Sequence, residues 1–245
     1  MSGSRAIARP LRLERPVWSL PALARFAAWG ALFAGVLSLV GFALQRTGIP
    51  PGDAAGLEAV AAVRSGWDVT LARALTFLAD LWVVSAITAV VGVVVYLRVR
   101  RWDLVWLVAA AVGGALAVTG TVKLITDRPR PDGALAGAVS SSFPSGHSVR
   151  GMVVYGLIAW LLFRLGRGVA RPLGITVALV LAFATGLSRV WLAVHWPSDV
   201  LFGYALGALW LLVTLSVTRP RRVGVVPEAS RPPAGDEAET HGPTF

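Results

Sequence analysis

The length, composition and charge of the chain exclude most soluble classes of protein. Of its 245 residues, 56% are hydrophobic and only 15% are charged, which indicates an integral membrane protein with one compact domain. The net charge of +10 does not indicate a nucleic-acid partner, because the arginines fall mainly between long apolar runs, and the absence of cysteine excludes disulfides, thiolate metal sites and cysteine nucleophiles.

Six apolar segments are long enough to cross a membrane, since a bilayer core about 30 Å thick needs about 20 helical residues. The fourth in chain order is predicted to begin near Ser145 and to reach Arg164, which places Arg150 about one turn inside it. The fold class is therefore predicted to be all-α, a bundle of six transmembrane helices. The other five spans are uninterrupted runs of 17 to 20 uncharged residues between Arg25 and Arg46, Asp80 and Arg98, Asp103 and Lys123, Arg171 and Arg189, and Asp199 and Arg219.

The segment between the first two spans has no assigned role. Residues 48–56 are rich in proline and glycine, and residues 57–78 mix charged and apolar side chains. This pattern predicts a loop followed by one amphipathic helix near the membrane surface.

Arginine clusters predict the orientation of the spans, because positive residues in short loops tend to stay on the cytoplasmic side. The clusters alternate along the chain, so both termini are predicted to be cytoplasmic. Residues 1–23 form a basic N-terminal stretch, residues 24–218 the six-span domain, and residues 219–245 a disordered tail. The clusters are Arg5, Arg9, Arg12, Arg15 and Arg25 before span 1; Arg98, Arg100 and Arg101 after span 2; Arg164, Arg167 and Arg171 after span 4; and Arg219, Arg221 and Arg222 after span 6.

Four basic residues depart from this rule, since Lys123, Arg128, Arg130 and Arg189 fall on the predicted extracytoplasmic face. Snorkelling toward the interface explains single basic residues near helix ends, but it explains four converging ones poorly. A bound anion accounts for all four together.

The first polar segment, residues 123–131, reads KLITDRPRP and follows the third span. Its prolines end the helix and stiffen the chain, while Lys123 and Arg130 present cations. Taken alone, the segment is equally consistent with an ordinary basic helix end.

The second polar segment, residues 140–147, reads SSSFPSGH and leads into the fourth span. Ser145 and Gly146 lie where the helix begins, so free backbone N–H groups and the positive end of the helix dipole can hold phosphate oxygens. A simple serine cap is the alternative, but it leaves the interfacial His147 without a purpose.

The third polar segment, residues 188–199, reads SRVWLAVHWPSD and joins the last two spans. Pro197 suits the first helical position, which puts Asp199 in the first turn of span 6. Because Asp199 follows His195 by four residues, its carboxylate can bond one imidazole nitrogen and direct the other outward, as a histidine nucleophile or base requires. A structural capping pair is the alternative.

Together these segments give the spacing Lys-x6-Arg-Pro, then Pro-Ser-Gly-His, then Ser-Arg-x5-His-x3-Asp. The pattern resembles the type 2 phosphatidic acid phosphatase (PAP2) family, with every signature position filled in the family's order and spacing over residues 123–199. The six-span layout extends the resemblance to about residues 24–218. The resemblance implies a lipid phosphate phosphatase of the cell membrane that needs no metal or other cofactor, with its active-site loops on the extracytoplasmic face.

The resemblance also implies a role for each residue of the pattern. His195 would attack phosphorus to form a phosphohistidine, Asp199 would hold its tautomer, and His147 would protonate the leaving alkoxide. The groups that would bind the phosphate oxygens are Lys123, Arg130, Ser145, Gly146 and Arg189.

Three further residues are expected near the site. Arg128 and Ser188 are expected to support the residues that touch the phosphate. Arg150 is expected to pair with a lipid headgroup, to form a salt bridge with Asp127 or Asp132, or to point outward along the membrane.

The substrate is expected to be a lipid phosphate in the outer leaflet, such as phosphatidic acid, phosphatidylglycerol phosphate or undecaprenyl diphosphate. One alternative on the same site is a lipid phosphotransferase, which passes the phosphoryl group to another acceptor instead of water. Another is a transporter, but the charges cluster at one membrane face and not in the middle of several spans. The sequence indicates neither the individual lipid nor the oligomeric state.

Overall fold

The computed structural model describes residues 19–137 and 140–217, and within these ranges the chain forms eight helices and no strands. Six of the helices are long and apolar enough to cross a membrane, which confirms the all-α, six-span prediction. Most of the predicted N-terminal stretch and the whole predicted tail lie outside the described residues. The helices are α1 (Leu20–Arg46), α2 (Pro51–Val63), α3 (Gly66–Phe77), α4 (Leu81–Val99), α5 (Trp102–Ile125), α6 (Gly146–Leu165), α7 (Ala170–Trp191) and α8 (Pro197–Val217), of which α1 and α4–α8 are the candidate spans.

Helix α6 lies at the centre of the bundle, with α5, α7 and α8 packed around it. Trp210 joins α8 to α5, because its indole Nε1 donates to the Ala111 carbonyl of α5 at 2.9 Å. A Cβ atom at position 114 would lie 2.1 Å from the Trp210 ring, so only glycine permits this approach. The core therefore holds α5, α6 and α8 in fixed relative positions, and these helices carry the polar segments at their ends.

The prediction of a loop over residues 48–56 followed by one amphipathic helix over residues 57–78 is wrong. The chain forms two helices in this segment, and the first of them already begins at Pro51. Helix α2 ends at Val63, and α3 begins after a capping box at Ser65. In this capping box, the Ser65 backbone N–H donates to the Asp68 carboxylate at 2.8 Å. Both helices pack against α7, and α2 also contacts α8. Their buried polar residues, Asp53 and Thr76, face the bundle.

The three polar segments meet at one end of the bundle. The loop after α5 is joined to the loop after α7 by a hydrogen bond from Leu135 N–H to the Leu192 carbonyl, 2.9 Å. The start of α6 is joined to the start of α8 by a bond from Ser145 N–H to the Asp199 carbonyl, 3.0 Å. The α4–α5 and α6–α7 connections, which carry two of the arginine clusters, belong to the other ends of these antiparallel helices.

Candidate active site

His195 and Asp199 lie side by side in the reversal between α7 and α8. Helix α7 ends at Trp191, and α8 begins at Pro197 with Asp199 in its first turn, as predicted. His195 Nδ1 is 3.6 Å from Asp199 Oδ2, and both side chains are almost fully buried. The carboxylate therefore faces one nitrogen of the imidazole and leaves the other free to face the site.

Asp199 also holds the surrounding backbone in place. Its Oδ2 atom accepts hydrogen bonds from the Ser142 hydroxyl and from the Trp196 N–H, the latter at 3.0 Å. The carboxylate thus caps α8 and faces His195 at the same time. The two alternatives drawn from the sequence, a capping pair and a histidine–carboxylate pair, both describe this residue.

Arg130 fixes the tautomer of His195. Its guanidinium Nη1 is 3.2 Å from His195 Nε2 and is also bonded to the Val194 carbonyl at 2.8 Å. Because a guanidinium can only donate, Nε2 carries a lone pair and the ring proton lies on Nδ1, toward Asp199. This is the tautomer that a histidine nucleophile needs.

Burial keeps His195 uncharged. Desolvation lowers the pKa of this imidazole to about 4; the adjacent Asp199 carboxylate opposes the shift, while Arg130 and Lys123 add to it. The neutral ring therefore predominates at neutral pH.

Further cations surround the pair. Lys123 donates through Nζ to the Ser141 carbonyl and lies within electrostatic range of Arg130 and Arg189. Arg189 is only 4% exposed and donates through Nη1 to Thr76 Oγ1 at 2.8 Å. Its buried Nε atom has no hydrogen-bond partner among the described residues. An unused buried donor in a cationic cluster is a ready ligand for an anion.

The start of α6 brings a second histidine to the same end of the bundle. Ser145 is the N-cap, with its hydroxyl accepting from Ser148 N–H at 3.5 Å, and the helix begins at Gly146 as predicted. The first amides of a helix have no carbonyl one turn earlier, so they are available to an anion. His147 follows at once and bonds through Nε2 to Asp80 Oδ1 at 2.9 Å.

Two of the three contacts expected for Arg150 are not made, because the side chain neither pairs with Asp127 or Asp132, which are exposed, nor points outward. The third, a contact with a lipid headgroup, stays a prediction. The Arg150 Nε donates to the Ala79 carbonyl at 2.7 Å, and its Nη2 lies 3.2 Å from His147 Nδ1. The residue turns inward because the loop before α4 packs against this face of α6 and supplies a carbonyl acceptor.

Arg128 is the centre of a buried charge network. It donates through Nη1 to Asp199 Oδ1 and through Nη2 to Asp53 Oδ2, the latter at 2.6 Å. Asp53 in turn accepts from the Ser198 N–H at 2.8 Å and from the Ser198 hydroxyl at 2.6 Å. Helix α2 is thereby tied to the first turn of α8, directly behind the catalytic candidates.

Ser188 does not contact the other candidate residues through its hydroxyl. That hydroxyl donates to the Thr185 carbonyl at 2.8 Å within α7, and no hydrogen bond among the described residues joins it to the other candidates.

In the described ranges, no group of three or more His, Cys, Asp or Glu side chains is arranged to hold a metal ion.

Four residues that contact the site were not predicted from the sequence. Asp53, Thr76 and Asp80 come from the segment before α4, and Ser142 lies within the second polar segment. Asp53 looks like an ordinary acid in the first turn of a helix, and Asp80 like the charge that bounds a span. Only Ser142 could have been suspected from the sequence, because it belongs to a run of three serines just before the Pro-Ser-Gly-His motif.

This chain is similar in sequence to the PAP2 superfamily and to proteins named as lipid phosphatases. A sequence profile described as the PAP2 superfamily matches residues 104–222. Phosphatidylglycerophosphatase B of Bacillus subtilis is 29% identical over 170 residues, which cover 68% of this chain and 83% of the relative. Decaprenylphosphoryl-5-phosphoribose phosphatase of Mycobacterium tuberculosis is 36% identical over 170 residues, which cover 65% of this chain and 86% of the relative.

A solved structure agrees with these relatives. The crystal structure of a transmembrane PAP2-type phosphatidylglycerolphosphate phosphatase from Bacillus subtilis superposes with a TM-score of 0.64 at 28% identity, covering 80% of this chain and 94% of that one. The predicted enzyme class, a membrane lipid phosphate phosphatase, is confirmed at that level. This chain therefore belongs to the PAP2 superfamily.

Proposed function

We propose that this protein hydrolyses a lipid phosphate by transferring the phosphoryl group first to His195 and then to water. The His195–Asp199 pair carries the proposal: Nδ1 faces the carboxylate at 3.6 Å, and the unprotonated Nε2 faces the cationic cluster. A neutral imidazole held in this way is a competent nucleophile. Cations fixed around it stabilise the charge that spreads over the phosphoryl oxygens in the transition state.

The phosphate is proposed to bind between the cationic side chains and the start of α6. Lys123, Arg130 and Arg189 supply positive charge, and Ser145 and Gly146 bring the amide groups of the helix terminus. The unused Nε of Arg189 gains an acceptor. A phosphate oxygen also replaces His195 Nε2 as the partner of Arg130, because an anion is the stronger acceptor, and this frees the lone pair for attack.

The reaction then proceeds in two displacements at phosphorus. In the first, the bond between His195 Nε2 and phosphorus forms while the bond to the lipid oxygen breaks, and His147 gives its proton to that oxygen so that the lipid alcohol leaves. In the second, water attacks phosphorus, His147 takes a proton from the water, and the nitrogen–phosphorus bond breaks to release inorganic phosphate. Asp199 offsets the positive charge of the substituted imidazole throughout.

The substrate is proposed to be a lipid phosphate in the outer leaflet. The site lies at one end of the transmembrane bundle, where a headgroup meets the membrane surface while its chains stay in lipid. The arginine clusters at the other helix ends favour a cytoplasmic position for that end, and hence an extracytoplasmic site. The names of the relatives suggest phosphatidylglycerol phosphate and polyprenyl-linked phosphates as substrate types.

A phosphate-release assay on the purified protein tests this proposal. In detergent with EDTA present, the protein should release inorganic phosphate from at least one of phosphatidic acid, phosphatidylglycerol phosphate and undecaprenyl diphosphate. A short-chain phosphatidic acid added to intact cells should also be hydrolysed, because it reaches only an extracytoplasmic site. Activity that requires an added metal ion, or phosphate recovered on a second lipid instead of in solution, would contradict hydrolysis as proposed; the latter result would indicate the phosphotransferase.

The ionisation of His195 gives a second prediction. Protonation removes the nucleophilic lone pair, so activity is lost as pH falls through the pKa of this ring, which burial lowers to about 4. We therefore expect the nucleophile to remain neutral well below pH 6.5. The chain has three histidines, so a protein with His147→Gln and His241→Gln retains one imidazole, whose NMR titration in micelles reports the value directly. A midpoint near 6.5 would contradict the expected burial.

A further inference from the structure

His147 is held in a defined protonation pattern by two neighbours. Its Nε2 atom lies 2.9 Å from Asp80 Oδ1, and its Nδ1 atom lies 3.2 Å from Arg150 Nη2. Because a guanidinium has no acceptor, Nδ1 carries the lone pair, and the proton of the neutral ring lies on Nε2, where it is donated to Asp80. The site thus contains a second histidine–carboxylate pair besides His195–Asp199.

The loop that carries Asp80 is fixed against the helix that carries His147. Three consecutive residues before α4 each accept a hydrogen bond from α6, and the donors lie on roughly one face of that helix. The bonds run from Tyr155 Oη to the Leu78 carbonyl (2.8 Å), from Arg150 Nε to the Ala79 carbonyl (2.7 Å) and from His147 Nε2 to Asp80 Oδ1 (2.9 Å). The position of the carboxylate is therefore set by the packing of this loop on α6.

Helix capping does not account for the Asp80 side chain. Asp80 occupies the N-cap position of α4, where an aspartate usually bonds the first amides of its own helix. In the part of the chain that the structure describes, it makes no such bond. The carboxylate is directed at His147 instead, and it remains 45% exposed at the edge of the site.

We infer that Asp80 is a positioning residue for His147, and that it matters most when the leaving group of the substrate is a poor one. This inference rests on the proposed function, in which His147 protonates the departing lipid oxygen. With Nε2 held by Asp80, Nδ1 is the nitrogen that transfers the proton. When substrate binds, Nδ1 takes up a proton from solvent and the ring becomes an imidazolium. As the phosphorus–oxygen bond breaks, this proton passes to the lipid oxygen, and the unprotonated Nδ1 then takes a proton from the attacking water. The carboxylate keeps the ring aimed and stabilises its charged form.

Arg150 keeps Nδ1 occupied until substrate binds. Its Nη1 atom would lie 3.0 Å from a Cβ at Gly146, so the guanidinium is next to the start of α6, where the phosphate is proposed to bind. A phosphate dianion is a stronger acceptor for a guanidinium than an imidazole lone pair. Substrate binding therefore transfers Arg150 from His147 to the phosphate and leaves Nδ1 free to carry the transferable proton.

The leaving-group dependence of Asp80→Asn tests this inference. Dodecyl phosphate and a dodecyl-substituted nitrophenyl phosphate have similar chains, but only the alkyl substrate needs a proton on its leaving oxygen. We expect kcat/KM for dodecyl phosphate to fall on the order of 10- to 100-fold, because this parameter reports the steps up to departure of the leaving group and general acid catalysis contributes at least that much. For the nitrophenyl substrate we expect kcat/KM to change by less than about threefold, since departure of this leaving group requires little proton transfer.

Matched variants separate this role from a structural one. His147→Ala should show the same substrate pattern, and the double variant should lose no more activity on dodecyl phosphate than His147→Ala alone. Asp132→Asn, at an exposed acid on the same end of the bundle, should behave as wild type on both substrates. Equal losses on the two substrates, or additive losses in the double variant, would overturn the inference. A wild-type protein that hydrolyses neither substrate would instead count against the proposed function itself.

Discussion

Replacement of His195 by alanine is expected to reduce phosphate release by about 10⁵-fold or more, the scale seen when a covalent nucleophile is removed. The imidazole is the group proposed to bond to phosphorus, and it lies between Asp199 and Arg130, with Nδ1 facing the carboxylate and Nε2 facing the guanidinium. Lys123 and Arg189, which are proposed to bind the phosphate, are unchanged in this variant, so KM should change far less than kcat. Phosphate release under saturating substrate, with EDTA present, measures the loss.

A phosphoenzyme assay distinguishes a nucleophile from a merely necessary residue. Wild-type protein quenched during turnover of a ³²P-labelled lipid phosphate should carry acid-labile label, and His195→Ala should carry none. The matched control is His241→Ala, which removes a histidine from the C-terminal tail and should retain full activity and labelling. Substantial phosphate release by His195→Ala, or label that persists in that variant, would exclude His195 as the nucleophile.

Most of the transmembrane fold follows from the sequence because the membrane imposes a strict length on each apolar run. Even the fourth span is predictable, since the Ser145 cap defines its start and Arg150 is accommodated inside it. The segment between α1 and α4 is harder, because neither helix there is long enough to span and the helical pattern continues across the break. The break depends on a local capping box at Ser65 and Asp68, which a search for amphipathic periodicity does not detect.

In the candidate site, residues that are close in sequence could be predicted, whereas residues that meet over long sequence separations could not. His195 and Asp199 are four residues apart, so one helix start places them together, and the motif spacing identifies them. Asp53 and Asp80 meet their partners over 75 and 67 residues of sequence, and Thr76 meets Arg189 over 113. Such contacts depend on how α2 and α3 pack against α7 and α8 and on how the loop before α4 packs on α6, and no short spacing encodes that packing.

Asp53→Ala is expected to destabilise the protein by about 3 kcal/mol, because it removes one partner of a buried ion pair. The Arg128 and Asp53 side chains are 2% and 3% exposed, so the guanidinium would keep its charge out of water with one carboxylate instead of two. The Ser198 N–H would lose its acceptor at the start of α8 as well. Unfolding of the purified variant in detergent, followed against denaturant concentration, measures the loss.

The same substitution is expected to reduce kcat by about 10-fold or more, since small displacements of a reacting group are costly. Without Asp53, the Arg128 guanidinium is held only by Asp199 and Ser198, and the carboxylate that orients His195 shifts with it. Asp53→Asn, which keeps an acceptor for Ser198 but loses the charge, should lie between alanine and wild type. Glu58→Ala, an exposed acid on α2, should change neither property. An Asp53→Ala variant with wild-type stability and kcat would contradict a role of Asp53 in holding Arg128. A loss of both stability and kcat would mean that the segment before α4 orients the nucleophile through Arg128 and Asp199.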